Sequence, residues 1–392
     1  MSGKLWVLMA TAFVDMLGFA MVFPLLPFYA TDLGATPKVI GLLIASFSIA
    51  QLASAPLWGR VSDRYGRRPV LLIGLGAAGI AYIVFGLATS VWLLLLSRTV
   101  QGAGGGTTGV VQAYIGDSTE PGERARGLGW LSAATSAGVM IGPAIGSLAA
   151  HLGRAAPGFF AAGLCFLNVA FAWRYLPESR PKLGQPKRSI RASVWQVLSH
   201  PTAPQPRLIW IYAVGMGAFT SMSAVVALYL NHRFGITAQT IGGVFVYIGA
   251  LSVVMRAVVL GKLVDRFGET KVMRGGAVML GTGLALYSLP STIWMMALVI
   301  PLVPIGTALL FPTVTALSSH RSDPKELGQM MGVQQAFGGA ARVIAPLWST
   351  YVYETMGPTD PFLIAAMIML LVTVLAFRVP VSAEALEPAA AD

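Results

Sequence analysis

Of 392 residues, 55% are hydrophobic and only 11% are charged, with a mean hydropathy of +0.70. Globular domains carry about 25% charge, so this composition excludes an ordinary soluble enzyme. The net charge of +11 does not indicate a nucleic-acid partner, because it is distributed by side rather than by patch.

Apolar runs of about 20 residues recur along the whole chain, the length a helix needs to cross about 30 Å of hydrocarbon. They predict an all-α integral membrane protein with twelve spans: 5–28, 39–58, 69–89, 91–113, 127–149, 158–176, 208–230, 240–260, 272–289, 293–317, 328–352 and 362–379. Lys4 and the triplet Ala10-Thr11-Ala12 imitate a cleavable signal. The apolar run between them is only about five residues, too short for a signal core, so residues 1–28 read as a retained first span. Residues 1–176 form a first six-helix bundle, 177–207 a basic cytoplasmic linker, 208–380 a second six-helix bundle and 381–392 a disordered tail rich in Ala, Pro and Glu. The linker, with Arg180, Lys182, Lys187, Arg188 and Arg191, reads as a solvated tether or as a contact for anionic lipid head groups.

Alternate loops differ sharply in charge. Three of the 27 Lys and Arg (Lys38, Arg154, Arg233) lie on one side, three lie inside spans (Arg98, Arg256, Arg342), and the other 21 share the opposite side. The positive-inside rule then places both termini in the cytoplasm, as in a multi-pass protein of a bacterial inner membrane. The single cysteine, Cys165, and four scattered histidines offer no disulfide, metal set or cofactor motif, and no nucleophile–base pair marks an enzyme.

The chain repeats itself. GRVSDRYGRRPVLL from Gly59 to Leu72 returns as GKLVDRFGETKVM from Gly261, an offset of 202; both read as charged turns between apolar runs. Gly142-Pro143 matches Ala345-Pro346 at 203, and Gly34 and Gly41 match Gly235 and Gly242 at 201. Two similar halves in tandem are the pattern of secondary transporters with pseudo-symmetric bundles.

Four motifs carry a closer resemblance. The first turn supplies Gly59, Asp63, Arg64, Gly66, Arg67 and Arg68, echoed as Gly261, Asp265, Arg266 and Gly268; the fourth span supplies RTVQGAGGG with Arg98, Gln101 and Gly102; the fifth supplies GVMIGPAIG with Gly138, Gly142, Pro143 and Gly146; the first supplies VDMLGFAMVFPLLP with Asp15, Pro24 and Pro27. Over essentially its whole length the chain resembles the major facilitator superfamily, in its twelve-helix drug:proton antiporter branch. The resemblance implies that Asp63 lies near the start of span 11, at Leu327 and Gly328, and that Arg67 pairs with Asp117 to close the cytoplasmic side. Glu269 and Thr270 stand where the first copy has Arg67 and Arg68, so the second copy is not expected to make the same pairing. The third and ninth spans lack the acids expected of tetracycline exporters, which argues against tetracycline itself.

On physical grounds, Gly138, Gly142 and Gly146 share one helix face, which permits close helix packing, and Pro143 makes a bend or hinge there. An ionisable group at the bilayer centre costs about 2.5–3.5 kcal/mol even on insertion scales, so Asp15, Arg98 and Arg342 are the sharpest functional candidates. Asp15 is the candidate proton carrier modulated by Arg98, or else its fixed ion-pair partner. Arg98 itself is a coupling residue or a substrate ligand. Arg342 stands where the first half has Val139, and its planar fork suits a carboxylate or phosphate; the alternative is that it satisfies backbone carbonyls. Arg256 lies within about five residues of the turn and either snorkels to the surface or joins transport. Gln51, Gln112, Gln334, Gln335, Tyr212, Tyr247, Phe219 and Met222 are candidate cavity lining.

The expectation is a monomeric, lipid-embedded transporter that exchanges protons for a small amphipathic anionic or zwitterionic compound, with no cofactor. A lipid or glycolipid translocator and a non-transporting receptor are the alternatives.

Overall fold

The structure, a computed structural model, describes residues 3–119, 123–179, 190–201, 203–321 and 327–380. Its regular elements are helices throughout. Span 1 is α1 (Gly3–Val22), a 3-10 turn (Phe23–Leu25) and α2 (Leu26–Asp32). Spans 2 and 3 are α3 (Pro37–Tyr65) and α4 (Arg67–Gly86), span 4 is α5 (Val91–Gly105) with α6 (Thr108–Ser118), and spans 5 and 6 are α7 (Arg124–Ala150) and α8 (Ala156–Tyr175). After α9 (Ile190–Ser199), span 7 is α10 (Pro204–Phe234). Span 8 is α11 (Ile241–Val254), a π-turn (Met255–Val259) and α12 (Leu260–Phe267), and span 9 is α13 (Glu269–Leu286). Span 10 is α14 (Ile293–Val299) with α15 (Leu302–His320), and spans 11 and 12 are α16 (Leu327–Thr355) and α17 (Asp360–Phe377).

Nine of these twelve passages are long and apolar enough to cross a membrane by composition alone. The other three are interrupted or carry more polar residues. Span 4 breaks at Gly106–Thr107, α13 opens with Glu269, Lys271 and Arg274, and α16 contains Gln334, Gln335 and Arg342. Large apolar side chains point outward, as a lipid solvent requires. Trp92 and Trp294, 202 residues apart at the starts of spans 4 and 10, are 78% and 80% exposed, the place an interfacial aromatic belt takes.

Both charged turns prove tighter than their composition indicates. The expected ten-residue loop is almost wholly helical: α3 runs to Tyr65, α4 starts at Arg67, and Gly66 alone, at φ +100°, turns the chain. Gly268, at φ +78°, does the same between α12 and α13. A positive φ is readily adopted only by glycine, so each turn is one residue long because that residue has no Cβ. Span 1 bends where Pro24 removes a backbone donor and shortens the local turn to 3-10.

The chain divides into two compact units, Met1–Pro186 with Ala227–Gly249 and Lys187–Val226 with Ala250–Asp392. In the first, α1 packs on α7 and α8, and α4 on α5 and α8; in the second, α13 packs on α15 and α17. The end of α10 and the start of α11 group with the first unit because α7 holds them: Ser147 Oγ donates to the Ala238 carbonyl at 2.9 Å and accepts from the Gly242 N–H at 2.8 Å. The linker is more than a solvated tether. Its helix α9 buries Val197 against Ile209, Met330 and Val333, and the Trp210 indole N–H donates to the Val197 carbonyl at 3.2 Å. Residues 180–189 of the linker and 381–392 of the tail lie outside the described residues.

Candidate functional site

Glycines bring the polar residues of the first half together. A Cβ at Gly104 would sit 2.8 Å from the Gly74 carbonyl oxygen, and Gly102 lies directly against the Phe47 carbonyl; α5 is thereby pressed between α3 and α4. On α1, a Cβ at Gly138 would meet the Phe13 carbonyl at 2.5 Å and one at Gly142 the Leu17 carbonyl at 2.7 Å, while Gly146 abuts the Met21 carbonyl. The glycine face of the fifth span is therefore the seat of α1, the helix that carries Asp15. Pro143 lies on the same helix, and its carbonyl oxygen would be 2.6 Å from a Cβ at Gly242.

Asp15, Phe19, Phe47, Gln51, Tyr82 and Gln101 line one cavity of about 30 Å³. That volume holds about one or two waters, too little for a drug-sized molecule. Gln51 is fixed by donating Nε2 to the Gly105 carbonyl at 3.2 Å. Arg98, 1% exposed, donates Nη1 to Gln101 Oε1 at 2.5 Å, and Gln101 Nε2 in turn donates to the Tyr82 hydroxyl. The guanidinium lies 5.1 Å from the Phe47 ring centroid and 5.8 Å from that of Phe19, while Nε has no hydrogen-bond partner among the described residues. The expected alternative of a fixed Asp15–Arg98 ion pair is not present. Asp15 makes no hydrogen bond or ion pair among the described residues, and Tyr82 lies within electrostatic range of both charges. The ring faces take the cation, which leaves the carboxylate open to the cavity.

At the turn between α3 and α4, Arg67, 7% exposed, is a hub. Its Nη1 donates to Asp63 Oδ1 and to Ser62 Oγ, each at 2.6 Å, and its Nε donates to Asp117 Oδ2 at 3.1 Å. Glu178 completes the arrangement. Its Oε1 accepts the Arg67 backbone N–H at 2.7 Å and its Oε2 the Arg68 N–H at 3.2 Å, placing a carboxylate on the N-terminus of α4, where the helix dipole favours it. A Cβ on Gly66 would fall 2.6 Å from that carboxylate, a second reason for glycine there. Arg68 Nη2 donates to the Trp173 carbonyl at the end of α8, and Arg64 lies over the Tyr65 ring. Ser62 and Glu178 were not foreseen from sequence: Ser62 reads as filler, and Glu178 lies 111 residues from Arg67. The expected approach of Asp63 to Leu327 and Gly328 falls on side chains outside the described residues.

The second copy keeps the turn and exchanges the acidic and basic positions of the pair. Glu269, 202 residues after Arg67, pairs at 3.2 Å with His320 Nδ1, which lies 203 residues after Asp117. Glu269 thus does form a cross-helix pair, with the acid and base exchanged. His320 is 70% exposed on its side chain, against 15% for Asp117. Gly261 and Asp265 are exposed, Asp265 has no ion pair among the described residues, and Arg266 rests over the Phe267 ring.

Within the second unit, a different set converges on Tyr212 of α10. Its ring stands edge-on to Phe311 at 5.5 Å, and Phe311 does the same to Phe219 at 6.4 Å. Gln335, Arg256 and Arg342 all lie within electrostatic range of the Tyr212 hydroxyl. Gln334 is instead buried, donating to Thr315 Oγ1 at 2.9 Å, and Met222 is core. Gln112 is exposed and does not line the Asp15 cavity, which takes only Thr108, the first residue of α6, from that helix. Tyr247, on the part of α11 that belongs to the first unit, is 44% exposed.

Comparison with known proteins agrees with this architecture. The family model described as Major Facilitator Superfamily matches residues 8–269 and 257–392. Tetracycline resistance protein class C of Escherichia coli is 30% identical over 373 residues, covering 91% of each chain. Multidrug resistance protein 2 of Bacillus subtilis is 26% identical over 379 residues, covering 93% of this chain and 92% of its own. The crystal structure of the human organic anion transporter MFSD10 (TETRAN) superposes with a TM-score of 0.72 at 22% identity over 95% of this chain and 99% of its own, and that of the nucleoside transporter NupG with 0.77 at 15% identity over 97% and 99%. Motifs, duplicated helices and family model agree: the chain belongs to the major facilitator superfamily and is a membrane transporter, not an enzyme.

Proposed function

We propose that the protein is a proton-coupled exporter of a small amphipathic organic anion or zwitterion, working by alternating access. The observation that carries this reading is the separation of charge. A lone carboxylate, Asp15, faces a water-sized cavity in the first unit, whereas the second gathers Arg342, Gln335, Tyr212 and two phenylalanine rings. Asp15 carries the proton, and Arg98 tunes it through Gln101 and Tyr82. Arg342 holds the substrate's anionic group, and the aromatic rings of Tyr212, Phe311 and Phe219 take its apolar body. The hub of Arg67, Asp63 and Asp117 closes the cytoplasmic side, and the names of the tetracycline and multidrug resistance relatives favour drug-like cargo.

In proteoliposomes, an imposed pH gradient is expected to drive 2-naphthoate against its own concentration gradient, with protons moving the opposite way. Arg342→Ala is expected to weaken uptake of the anion without affecting a neutral analogue. Flux indifferent to the pH gradient would overturn proton coupling, and unchanged anion handling by Arg342→Ala would overturn the substrate assignment.

A further inference from the structure

The eighth span contains one residue more than its counterpart in the first half. Gly41 and Gly242 are 201 residues apart, but Gly59 and Gly261 are 202 apart, so an extra residue lies between Gly242 and Gly261. In the first half α3 runs through the matching stretch as unbroken α-helix. In the second, Met255–Val259 is a π-turn, closed by the Leu260 N–H bonding the Met255 carbonyl five residues back. A π-turn is how a helix absorbs a one-residue insertion, and such turns concentrate at functional sites.

Arg256 occupies this turn. Its first-half counterpart is Ser54 or Ala55, just as Arg342 replaces Val139 and Gln335 replaces Ser132 at an offset of 203. Every substitution runs from a small or apolar side chain to one that binds anions. Arg256 is exposed and Arg342 half-buried, so both heads can be reached. Neither makes a hydrogen bond or ion pair among the described residues, and both lie within electrostatic range of the Tyr212 hydroxyl. Two such cations inside spans are costly. Surface snorkelling does not account for the turn, because a regular helix would carry an arginine to the interface equally well.

We propose that the inserted residue and its π-turn aim Arg256 at the Tyr212–Gln335–Arg342 cluster, making a two-guanidinium subsite that selects organic dianions over monoanions. This rests on the assignment of Arg342 to the substrate site and adds the charge of the cargo. Each guanidinium offers a planar fork to one carboxylate, so a dicarboxylate engages both and a monocarboxylate only one. Tyr212, whose hydroxyl is within electrostatic range of both guanidiniums, marks the position they share.

The test is calorimetric binding of naphthalene-2,3-dicarboxylate and 2-naphthoate to the detergent-purified full chain at one pH. The native protein is expected to prefer the dicarboxylate. Arg256→Gln is expected to lower dicarboxylate affinity about tenfold, the worth of one charge-assisted hydrogen-bonding group, and to leave 2-naphthoate within about twofold. Arg342→Gln is expected to weaken both. Deleting Ala257, which removes the extra residue while keeping Arg256, is expected to behave as Arg256→Gln does; should the deletion fail to fold, the point substitution decides alone. A native protein indifferent to the second charge, or an Arg256→Gln variant that keeps the preference, overturns the inference. If Arg256→Gln alone is silent, Arg342 keeps its role; if both substitutions are silent, the underlying substrate assignment fails as well.

Discussion

The first half places Arg98 and Gln101 in the middle of α5; 202 residues on, the second half has Ile300 and Val303. Tyr82, which links Asp15 electrostatically to Arg98, is matched by Leu284. The reverse holds for the cations, since Arg342 and Arg256 stand where the first half has Val139 and Ser54 or Ala55. A duplicated backbone has thus been filled with complementary chemistry, a carboxylate beside a water-sized cavity in one half and guanidiniums beside aromatic rings in the other. The comparison teaches that repeat symmetry preserves the one-residue turns at Gly66 and Gly268, while the polar chemistry inside the spans lies at positions where the repeats disagree.

Packing gives the largest contrast. In the fifth span Gly138, Gly142 and Gly146 touch the main chain of α1, whereas the matching positions of the eleventh are Ala341, Ala345 and Ser349, which already carry side chains. Gly142→Val is expected to abolish folded protein, read as loss of the monodisperse peak in detergent gel filtration, because it forces α1 and α7 apart; Ser349→Ala is expected to leave that peak in place. If both variants behave alike, the two helix faces are not the different interfaces described.

Next come the side-chain pairs at the two turns. Breaking a buried ion pair by removing one partner costs about 3–5 kcal/mol, so Arg67→Ala is expected to lower thermal stability substantially, leaving Asp63 and Asp117 without their shared cation. Glu269→Gln, at a pair with an exposed histidine, is expected to change stability by about 1 kcal/mol or less, and salt is expected to mask even that. Equal effects would show that the Glu269–His320 pair holds its turn as strongly as the Arg67 hub holds the first. Smaller than the Arg67 effect is Glu178→Ala, expected to cost about 1–2 kcal/mol through loss of a carboxylate at the α4 N-terminus and measurable as a shift in the same melting curve.

Much of this plan was legible in the sequence. Apolar runs gave the twelve spans, and the recurrence of Gly59 to Leu72 gave the duplication. Asp15, Arg98 and Arg342 stood out because charge is scarce in hydrocarbon. The change of offset from 201 to 202 was already visible, although only the π-turn shows how the chain absorbs it. What could not be read is long-range or geometric. Glu178 meets α4 across 111 residues. Arg98 faces two rings instead of Asp15, a choice that depends on how closely Gly102 lets α5 approach Phe47. Helix α9 hides in a linker whose basic composition masks the single apolar stripe that docks it.

The division of labour between the halves is tested most directly by Asp15→Asn in proteoliposomes, comparing counterflow of labelled 2-naphthoate without a pH gradient with its accumulation under one. If the first half holds only the proton site, the variant is expected to retain counterflow at near-native rates and to lose gradient-driven accumulation. Loss of both would place Asp15 in substrate binding, and retention of both would remove it from coupling; either result contradicts the account.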